Sequence, residues 1–232
     1  MIGRPRVHHR VTDSTNERAR ELAATGAPHG TLVTADEQSA GRGRQGRAWV
    51  APPGRAILMS VVVRDFGEHQ LLPLAVPVAV CEACESVAPV ACKIKWPNDV
   101  WIDGRKVAGI LVEGRPQEGW AVLGIGLNVS TTEDEFPDEL RDTATSLAVA
   151  ANQPVDRATV LDRLLGSVEQ QLEAPAADIL GAWRDRDALE GQTVRWRDGE
   201  GVAAGISDSG ALVVESNGTR VELDAGEVHL LR

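Results

Sequence analysis

Apolar runs separated by turn residues predict a succession of helices and strands from the N-terminus to about residue 188. Short β-branched or apolar runs are typical of strands, and amphipathic stretches that follow capping residues or prolines are typical of helices. The predicted strands are residues 31–35, 57–63, 94–96, 100–102, 107–112 and 121–129. The predicted helices are residues 18–24, 71–87 and 159–189, the last interrupted near Pro175. Pro77 is awkward inside the second helix, because an interior proline removes a backbone hydrogen bond.

The pattern changes near Gly191, where helical periodicity gives way to short strands at regular intervals. The predicted strands are residues 193–196, 202–206, 211–215 and 220–223, with turns at 198–199, 208–210 and 217–218. Closely spaced strands with regular turns indicate a small barrel. We therefore predict an α+β fold with a larger mixed domain over residues 1–188 and a small all-β domain over residues 189–232.

Composition and charge narrow the function. The chain has 232 residues and a formal net charge of −10, whereas a sequence-independent nucleic-acid binder usually carries a basic face. The longest apolar stretch, residues 71–81, is too short to cross a bilayer, and the N-terminus lacks the apolar run of a signal peptide. We expect a cytoplasmic protein that binds neither nucleic acid nor membrane.

Three cysteines do not make a disulfide framework. Cys81 and Cys84 form a C-x-x-C pair, which occurs in redox and zinc sites. No second pair completes a zinc site here, and Cys92 stands apart in the sequence. We interpret Cys81 and Cys84 as small apolar residues on the core side of a helix.

The most unusual stretch is residues 41–49, GRGRQGRAW. Its glycines allow a close backbone approach to a ligand, its arginines suit phosphate and carboxylate, and its tryptophan suits a flat ring. Three interpretations stay open at this point: a loop that encloses an anionic ligand, a disordered RNA-binding segment, or a solvated loop. The stretch fits neither the P-loop nor the dinucleotide fingerprint.

The three lysines of the chain, Lys93, Lys95 and Lys106, fall within fourteen residues. Lys106 begins a strand after the predicted Asp103-Gly104 hairpin turn, where alternation would place it on the same face as Ala108. It either projects into a pocket to bind a carboxylate or phosphate, or it is a surface lysine at a hairpin edge.

Residues 97–99 and 124–128 add two further candidate features. Asn98 and Asp99 either line a site or form a turn. Gly124 and Gly126 weaken an apolar strand, which is explained either by a flat group against the strand or by close packing against a helix. In the first case Asn128 could read a ligand edge, since its amide both donates and accepts.

Together these motifs resemble the biotin–protein ligase family. The resemblance covers nearly the whole chain, and the arginine-glycine loop combined with the sequence KWPND is highly specific. The motifs, in the family's order, are Ser14-Thr15-Asn16, residues 38–47 with Trp49, residues 95–99, 104–113 and 124–128, and in the tail residues 205–212 and 226–228.

The family resemblance implies an enzyme that uses ATP and Mg²⁺ to form biotinyl-5′-AMP and transfers biotin to a lysine of a biotin carboxyl carrier domain of a carboxylase. It implies a mixed sheet flanked by helices, similar to class II aminoacyl-tRNA synthetases, with an SH3-like C-terminal barrel. The implied biotin site is Ser14, Thr15, Asn16, Gln38, Gly41, Arg42, Gly43, Arg44, Lys106 and Gly109. The implied nucleotide site is Arg42, Arg44, Arg47, Trp49, Lys95, Asn98 and Asn128.

Within these sites the resemblance implies distinct roles. Residues 14–16 and Gln38 would hydrogen-bond the ureido ring, the loop would order over activated biotin, and Trp49 would pack against adenine. Lys106, Arg42 and Arg44 would be catalytic, because they offset the repulsion between two anionic substrates. Asp99 could help to deprotonate the carrier amine, and no protein ligand to a metal is predicted.

Some members of the family carry an N-terminal DNA-binding domain and repress transcription. Here the first motif begins at Ser14, so we expect a ligase without repressor function. We also expect a homodimer, since many members dimerise through the sheet. Two alternatives remain: a lipoate or octanoate ligase on the same scaffold, and a non-enzymatic RNA-binding protein that uses the arginine-glycine loop.

Overall fold

A seven-stranded mixed sheet forms the larger part of the protein in the computed structural model, which describes residues 1–64, 71–224 and 226–231. The sheet order is β1-β2-β3-β7-β6-β5-β4, with β1 and β2 parallel and the other neighbours antiparallel. Its strands are β1 (Arg6–Thr12), β2 (Leu32–Gln38), β3 (Ala56–Arg64), β4 (Cys92–Lys95), β5 (Asp99–Ile102), β6 (Arg105–Arg115) and β7 (Trp120–Asn128).

Helices cover both faces of this sheet. One face packs against α1 (Thr15–Ala24), which buries Thr15, Ala19 and Ala23 at helical spacing. The other face packs against α2 (Leu72–Val87), and the remaining helices are α3 (Leu147–Ala151), α4 (Arg157–Glu173) and α5 (Ala176–Arg184). Because central strands are buried on both sides, β3 does not alternate: it is apolar apart from Ser60 and the terminal Arg64.

A second, five-stranded antiparallel sheet follows, in the order β11-β10-β9-β8-β12. Its strands are β8 (Thr193–Trp196), β9 (Gly199–Ile206), β10 (Leu212–Ser216), β11 (Thr219–Leu223) and β12 (His229–Leu230). Val194, Leu212 and Val228 belong to the same apolar core as the larger sheet. The Trp96 indole donates to the Gly210 carbonyl at 3.1 Å, which joins the two parts next to residues 96–99. The domain boundary at 188/189 stays a prediction, and residue 232, at its far end, lies outside the described residues.

Most of the predicted elements are present. Helix α2 runs through Pro77 without a break, and the helical stretch after residue 157 divides at Pro175 into α4 and α5. Cys81 and Cys84 face the core as predicted, and Cys92 joins them there. Among the described residues, no helix has both the length and the apolar character needed to cross a membrane.

One prediction about strand β6 is wrong. Trp101 pairs with Lys106 and Val100 with Ala108, so Val107 is an extra residue in a β-bulge. The bulge shifts the alternation by one residue, and Ala108 packs into the apolar core. Lys106 instead shares a face with Gly109, where a Cβ would lie 3.2 Å from the Lys106 Nζ atom. This shift turns the lysine away from the core and into a cleft.

Candidate active site

A cleft lies on the face of the sheet that α1 covers, between α1, strands β3, β6 and β7, the loop of residues 41–49, and residues 226–228. Its walls contain most of the residues predicted for binding. The predicted residues that line it are Ser14, Thr15, Asn16, Gln38, Arg42, Gly43, Arg44, Arg47, Trp49, Lys95, Asn98, Lys106 and Gly109.

One end of the cleft is neutral and rich in hydrogen-bonding groups. The Gln38 Oε1 atom accepts a hydrogen bond from the Thr15 backbone N–H at 2.7 Å. The same atom lies 3.0 Å from the Thr15 hydroxyl. The Asn16 Nδ2 atom donates to the Glu113 carboxylate at 2.8 Å. Thr15 and Asn16 are buried. These groups therefore offer a desolvated set of donors and acceptors suited to a small polar ring.

The floor of the cleft depends on two glycines of β7. A Cβ at Gly124 would clash with the Asn16 amide, and a Cβ at Gly126 would lie under 3.0 Å from three atoms of the Trp49 indole. Flat groups do lie against this strand, as predicted, and both belong to the protein. Packing against helix α1 explains Gly124, while the Trp49 ring explains Gly126. Close packing of protein side chains therefore accounts for both glycines, and a ligand lying against this strand stays a prediction.

The other end of the cleft is cationic. The Lys106 Nζ atom lies 2.6 Å from the Asp99 carboxylate and 5.6 Å from the centre of the Trp49 ring. Burial lowers the pKa of Lys95, although Asp99 and Glu227 act in the opposite direction. Burial likewise lowers the pKa of the half-buried Arg44 guanidinium. Because desolvated cations attract an anion more strongly than hydrated ones, this end suits carboxylate and phosphate.

The arginine-glycine loop is folded and tied at both sides. An isolated bridge joins Arg42 and Ala48, and the loop contains a short 3₁₀ helix (Arg44–Gly46) with Gln45 at a φ of 55°. Arg42 forms an ion pair with Glu17 of α1 at 2.7 Å. Arg47 pairs with Glu227 of the C-terminal part. These contacts argue against the interpretation of this segment as a disordered RNA-binding stretch.

Two predicted site residues do not line the cleft. Gly41 is the first residue of the loop. A Cβ at this position would clash with the Trp49 backbone, and Gly41 lines a neighbouring groove. Asn128 is buried at the end of β7, where its Nδ2 atom donates to the Thr145 carbonyl at 3.1 Å. Its Oδ1 atom has no hydrogen-bond partner within the described part of the chain.

Asn98 fits both of its interpretations. It lines the cleft, and its Nδ2 atom donates to the Ile110 carbonyl at 2.8 Å, which holds the turn between β4 and β5 against β6. Three further residues, Met59, Gln45 and Glu227, line the cleft and were not among the predicted site residues. Glu227 lies in the tail motif of residues 226–228, and this motif together with its charge was the available indication in the sequence.

Comparison with known proteins identifies relatives of the whole chain. Residues 8–130 match the Biotin/lipoate A/B protein ligase family, and residues 190–231 match the Biotin protein ligase C terminal domain. The bifunctional ligase/repressor BirA of Bacillus subtilis is 38% identical over 94% of this chain and 71% of its own length. The biotin--[acetyl-CoA-carboxylase] ligase of Paracoccus denitrificans is 37% identical over 94% of this chain and 97% of its own length.

A solved structure shows the same fold over both sheets. Biotin protein ligase from Aquifex aeolicus, in complex with biotin and ATP, aligns with a TM-score of 0.86 at 29% identity and covers 99% of both chains. The fold and the sequence matches together show that this chain belongs to the biotin/lipoate A/B protein ligase family. It is an enzyme of the ligase class, and its relatives in the family include proteins named biotin--[acetyl-CoA-carboxylase] ligase. The predicted fold class is confirmed.

Proposed function

We propose that this protein forms biotinyl-5′-AMP from biotin and ATP and then transfers biotin to a lysine of a biotin carboxyl carrier domain. The observation that carries the proposal is the polarity of the cleft. Thr15 and Gln38 form a neutral hydrogen-bonded group next to Asn16, which lies over Gly124, whereas Lys106 lies over Gly109, and Arg44 and Lys95 line the same cleft. A molecule with a neutral ureido ring and a carboxylate tail matches this order of groups.

In the first step, the biotin carboxylate oxygen attacks the α-phosphorus of ATP and pyrophosphate leaves. Both reactants are anions, so their approach is electrostatically costly. Lys106 lies over the cleft floor beside Trp49, and Arg42 and Arg44 border the same space. Cations fixed in a partly desolvated cleft offset this repulsion and stabilise the charge that develops in the transition state. Trp49 lines the cleft, and in this proposal its indole would pack against the adenine ring.

In the second step, a lysine amine of the carrier attacks the acyl carbon of the mixed anhydride, AMP departs and the amine loses a proton. The loop of residues 41–49 shields the anhydride from water until the carrier docks. Asp99 lines the cleft, and its carboxylate is already paired with Lys106 at 2.6 Å. Its part in deprotonating the amine stays a prediction.

Mg²⁺ enters this proposal as part of the Mg–ATP substrate. Over the described ranges, no group of three or more His, Cys, Asp or Glu side chains is placed to hold a metal ion. The cleft carboxylates Asp99 and Glu227 are each paired with a cation. Mg²⁺ keeps several waters and binds chiefly through substrate phosphates in many such enzymes, which fits a site with few protein ligands.

Pyrophosphate release from Mg–ATP by the purified protein tests the proposal. The reaction is run with biotin, with lipoate and with neither acid, on protein shown to be free of bound biotinyl-AMP. We expect release with biotin alone, followed by biotin incorporation into an added biotin carboxyl carrier domain. Pyrophosphate release with lipoate and not with biotin would support the alternative function, a lipoate or octanoate ligase. If neither biotin nor lipoate causes pyrophosphate release, both functions are contradicted.

The predictions about partners and location are part of the same proposal. The net charge of −10 argues against a non-enzymatic RNA-binding role. The expected lack of repressor activity stays a prediction. A mobility-shift experiment with DNA at physiological salt checks the second point, and a shift with specific DNA would contradict it. The homodimer and the cytoplasmic location stay predictions, and sedimentation of the purified protein tests the first of them.

A further inference from the structure

The loop of residues 41–49 is a wall between two hollows. On one side lies the cleft, and on the other lies the neighbouring groove, which extends to Leu74 of α2 and Ala211 of the C-terminal part. Most of the loop lines both hollows. The shared residues are Arg42, Gly43, Arg44, Gln45, Arg47 and Ala48. An outward movement of the loop would therefore open the cleft into the groove.

The two limbs of this loop are hydrogen-bonded to each other. The Trp49 N–H donates to the Gly41 carbonyl at 3.0 Å, and the Gly43 N–H donates to the Arg47 carbonyl at 2.7 Å. The bridge between Arg42 and Ala48 lies between these two bonds. Because the limbs are paired in this way, we expect the loop to move as one flap. A contact that anchors one limb therefore holds the other as well.

In the described part of the chain, two ion pairs join this flap to its surroundings, one on each limb. On the first limb, Arg42 Nη1 lies 2.7 Å from Glu17 Oε2. On the second limb, Arg47 pairs with Glu227 of the C-terminal part. Glu17 is in the first turn of α1 and is not among the residues that line the cleft. Its contact with Arg42 therefore anchors the flap to the helix beside the cleft.

The Glu17 carboxylate is itself held in place. Arg20, one helical turn further along α1, donates to the same Glu17 oxygen at 3.1 Å. The Glu17 side chain is 26% exposed, so it is partly removed from water. A carboxylate that is already oriented loses less side-chain entropy when it forms a second pair. The pair with Arg42 therefore belongs at the upper end of the range for accessible ion pairs, which corresponds to about a fivefold change in an equilibrium.

We propose that Glu17 is a positioning residue that holds Arg42, and with it the flap, closed over the activated acyl group between the two steps of the reaction. The inference rests on the proposed function, in which the enclosed molecule is biotinyl-5′-AMP. Glu17 acts through Arg42 and does not touch the ligand. Its contribution is to keep the mixed anhydride in the cleft, and out of the groove and the solvent, until a carrier amine arrives.

The rate at which bound biotinyl-5′-AMP leaves the protein tests the inference without requiring catalysis. Each variant is loaded with labelled biotinyl-5′-AMP and chased with an excess of the unlabelled compound. We expect Glu17→Gln to release the label about fivefold faster than the unaltered protein, because the flap loses one of its two anchors and is open more often.

A double-mutant cycle shows whether Glu17 acts through Arg42. Arg42→Gln and the double variant of Glu17→Gln with Arg42→Gln are loaded and chased in the same way. With the arginine already absent, Glu17→Gln should cause no further increase in the release rate. A merely structural role of Glu17 in helix α1 predicts instead that the same increase appears in both backgrounds.

Two further variants serve as controls. Glu21→Gln is the matched control, since Glu21 lies on the same helix, pairs with Arg18 at 2.8 Å and does not line the cleft. It should release biotinyl-5′-AMP as the unaltered protein does. Glu17→Asp keeps the negative charge in the first turn of α1, which favours the helix, but shortens the side chain that reaches Arg42. It should release the label faster than the unaltered protein, and it serves as the test if Glu17→Gln does not fold.

The outcomes separate the two proposals. If the unaltered protein does not bind biotinyl-5′-AMP, the proposed function fails, and the inference that rests on it fails as well. If the unaltered protein binds it while Glu17→Gln releases it at the same rate, the inference alone is overturned. An increase caused by Glu17→Gln that persists in the Arg42→Gln background, or an equal increase in Glu21→Gln, also overturns it. So does release from Glu17→Asp at the unaltered rate.

Discussion

Replacement of Lys106 by alanine is the most direct test of how the cleft promotes adenylate formation. The change removes the ammonium group that lies 2.6 Å from Asp99 and 5.6 Å from the Trp49 ring centre. Arg42 and Arg44 stay in place. The variant therefore measures how much a single cation contributes to the rate at the point where two anionic substrates would meet.

The expected loss in rate follows from the electrostatics of a partly buried site. Two unit charges about 4 Å apart interact by about 4 kcal/mol at an effective dielectric constant of about 20. Removing one donor to a developing oxyanion costs about 3 to 4 kcal/mol in well-studied enzymes. A loss of about 3 kcal/mol corresponds to a decrease of about 100-fold in the rate of pyrophosphate release.

The expected loss in stability is much smaller. The side chains of Lys106 and Asp99 are 34% and 21% exposed. A pair this accessible to water contributes about 1 kcal/mol or less to the free energy of unfolding. The protein should therefore fold and still lose most of its activity in the first step.

The assay is pyrophosphate release with biotin and Mg–ATP, beside a thermal melt of each variant. Lys93→Ala is the matched control, because Lys93 is exposed and donates to the Asp185 carbonyl, outside the cleft. Supplying synthetic biotinyl-5′-AMP with the carrier bypasses the first step and shows whether Lys106 also matters in transfer. Adenylate formation by Lys106→Ala at nearly the unaltered rate would refute the assignment.

Three further predictions concern the floor, the pH dependence and the loop. Gly126→Ala places a methyl group against the Trp49 indole, so it should raise KM for ATP about tenfold and cost about 1 to 3 kcal/mol in urea unfolding. A hydrogen bond from Arg157 holds the pKa of Asp36 below 3.8, so its stabilising effect is present above that pH and is lost as pH falls through the lower, folded-state pKa. In Asp36→Asn, the free energy of unfolding should therefore fall less steeply as the pH drops below about 4. Glu227→Gln removes the ion pair that ties the loop to the C-terminal part, and limited proteolysis should cut the loop faster.

The central strands and helix α2 could be predicted because burial on both sides leaves a long apolar run in the sequence. Strand β1 could not, because it lies at the sheet edge and its residues, RVHHRVT, are mostly polar and partly exposed. Edge strands need no apolar pattern, since one face and one edge meet water. Helix α3, with five residues, is too short for periodicity to be visible.

The cleft residues could be predicted as a set, and their orientations could not. The motifs identify Thr15, Gln38 and Lys106, but the face on which Lys106 lies depends on a bulge at Val107 that the sequence pattern does not show. In the sequence, Ser60 is a single polar residue within the apolar stretch that forms β3. Its hydrogen-bond partners lie 44 and 45 residues away in sequence, which local patterns do not contain.

The glycines of the sheet also explain why the two proposed substrates would meet at Lys106. Gly124 lies beneath the Asn16 amide at the neutral end, and Gly126, two residues along the same strand, lies beneath Trp49. Two residues of a strand span about 7 Å, so the Asn16 amide and the Trp49 indole lie side by side along the cleft floor. Gly126 pairs with Gly109 across β6 and β7, and the Lys106 ammonium lies over that pair. In the proposed reaction the acid and the α-phosphate would therefore approach each other directly under the one lysine that the bulge at Val107 turns toward them.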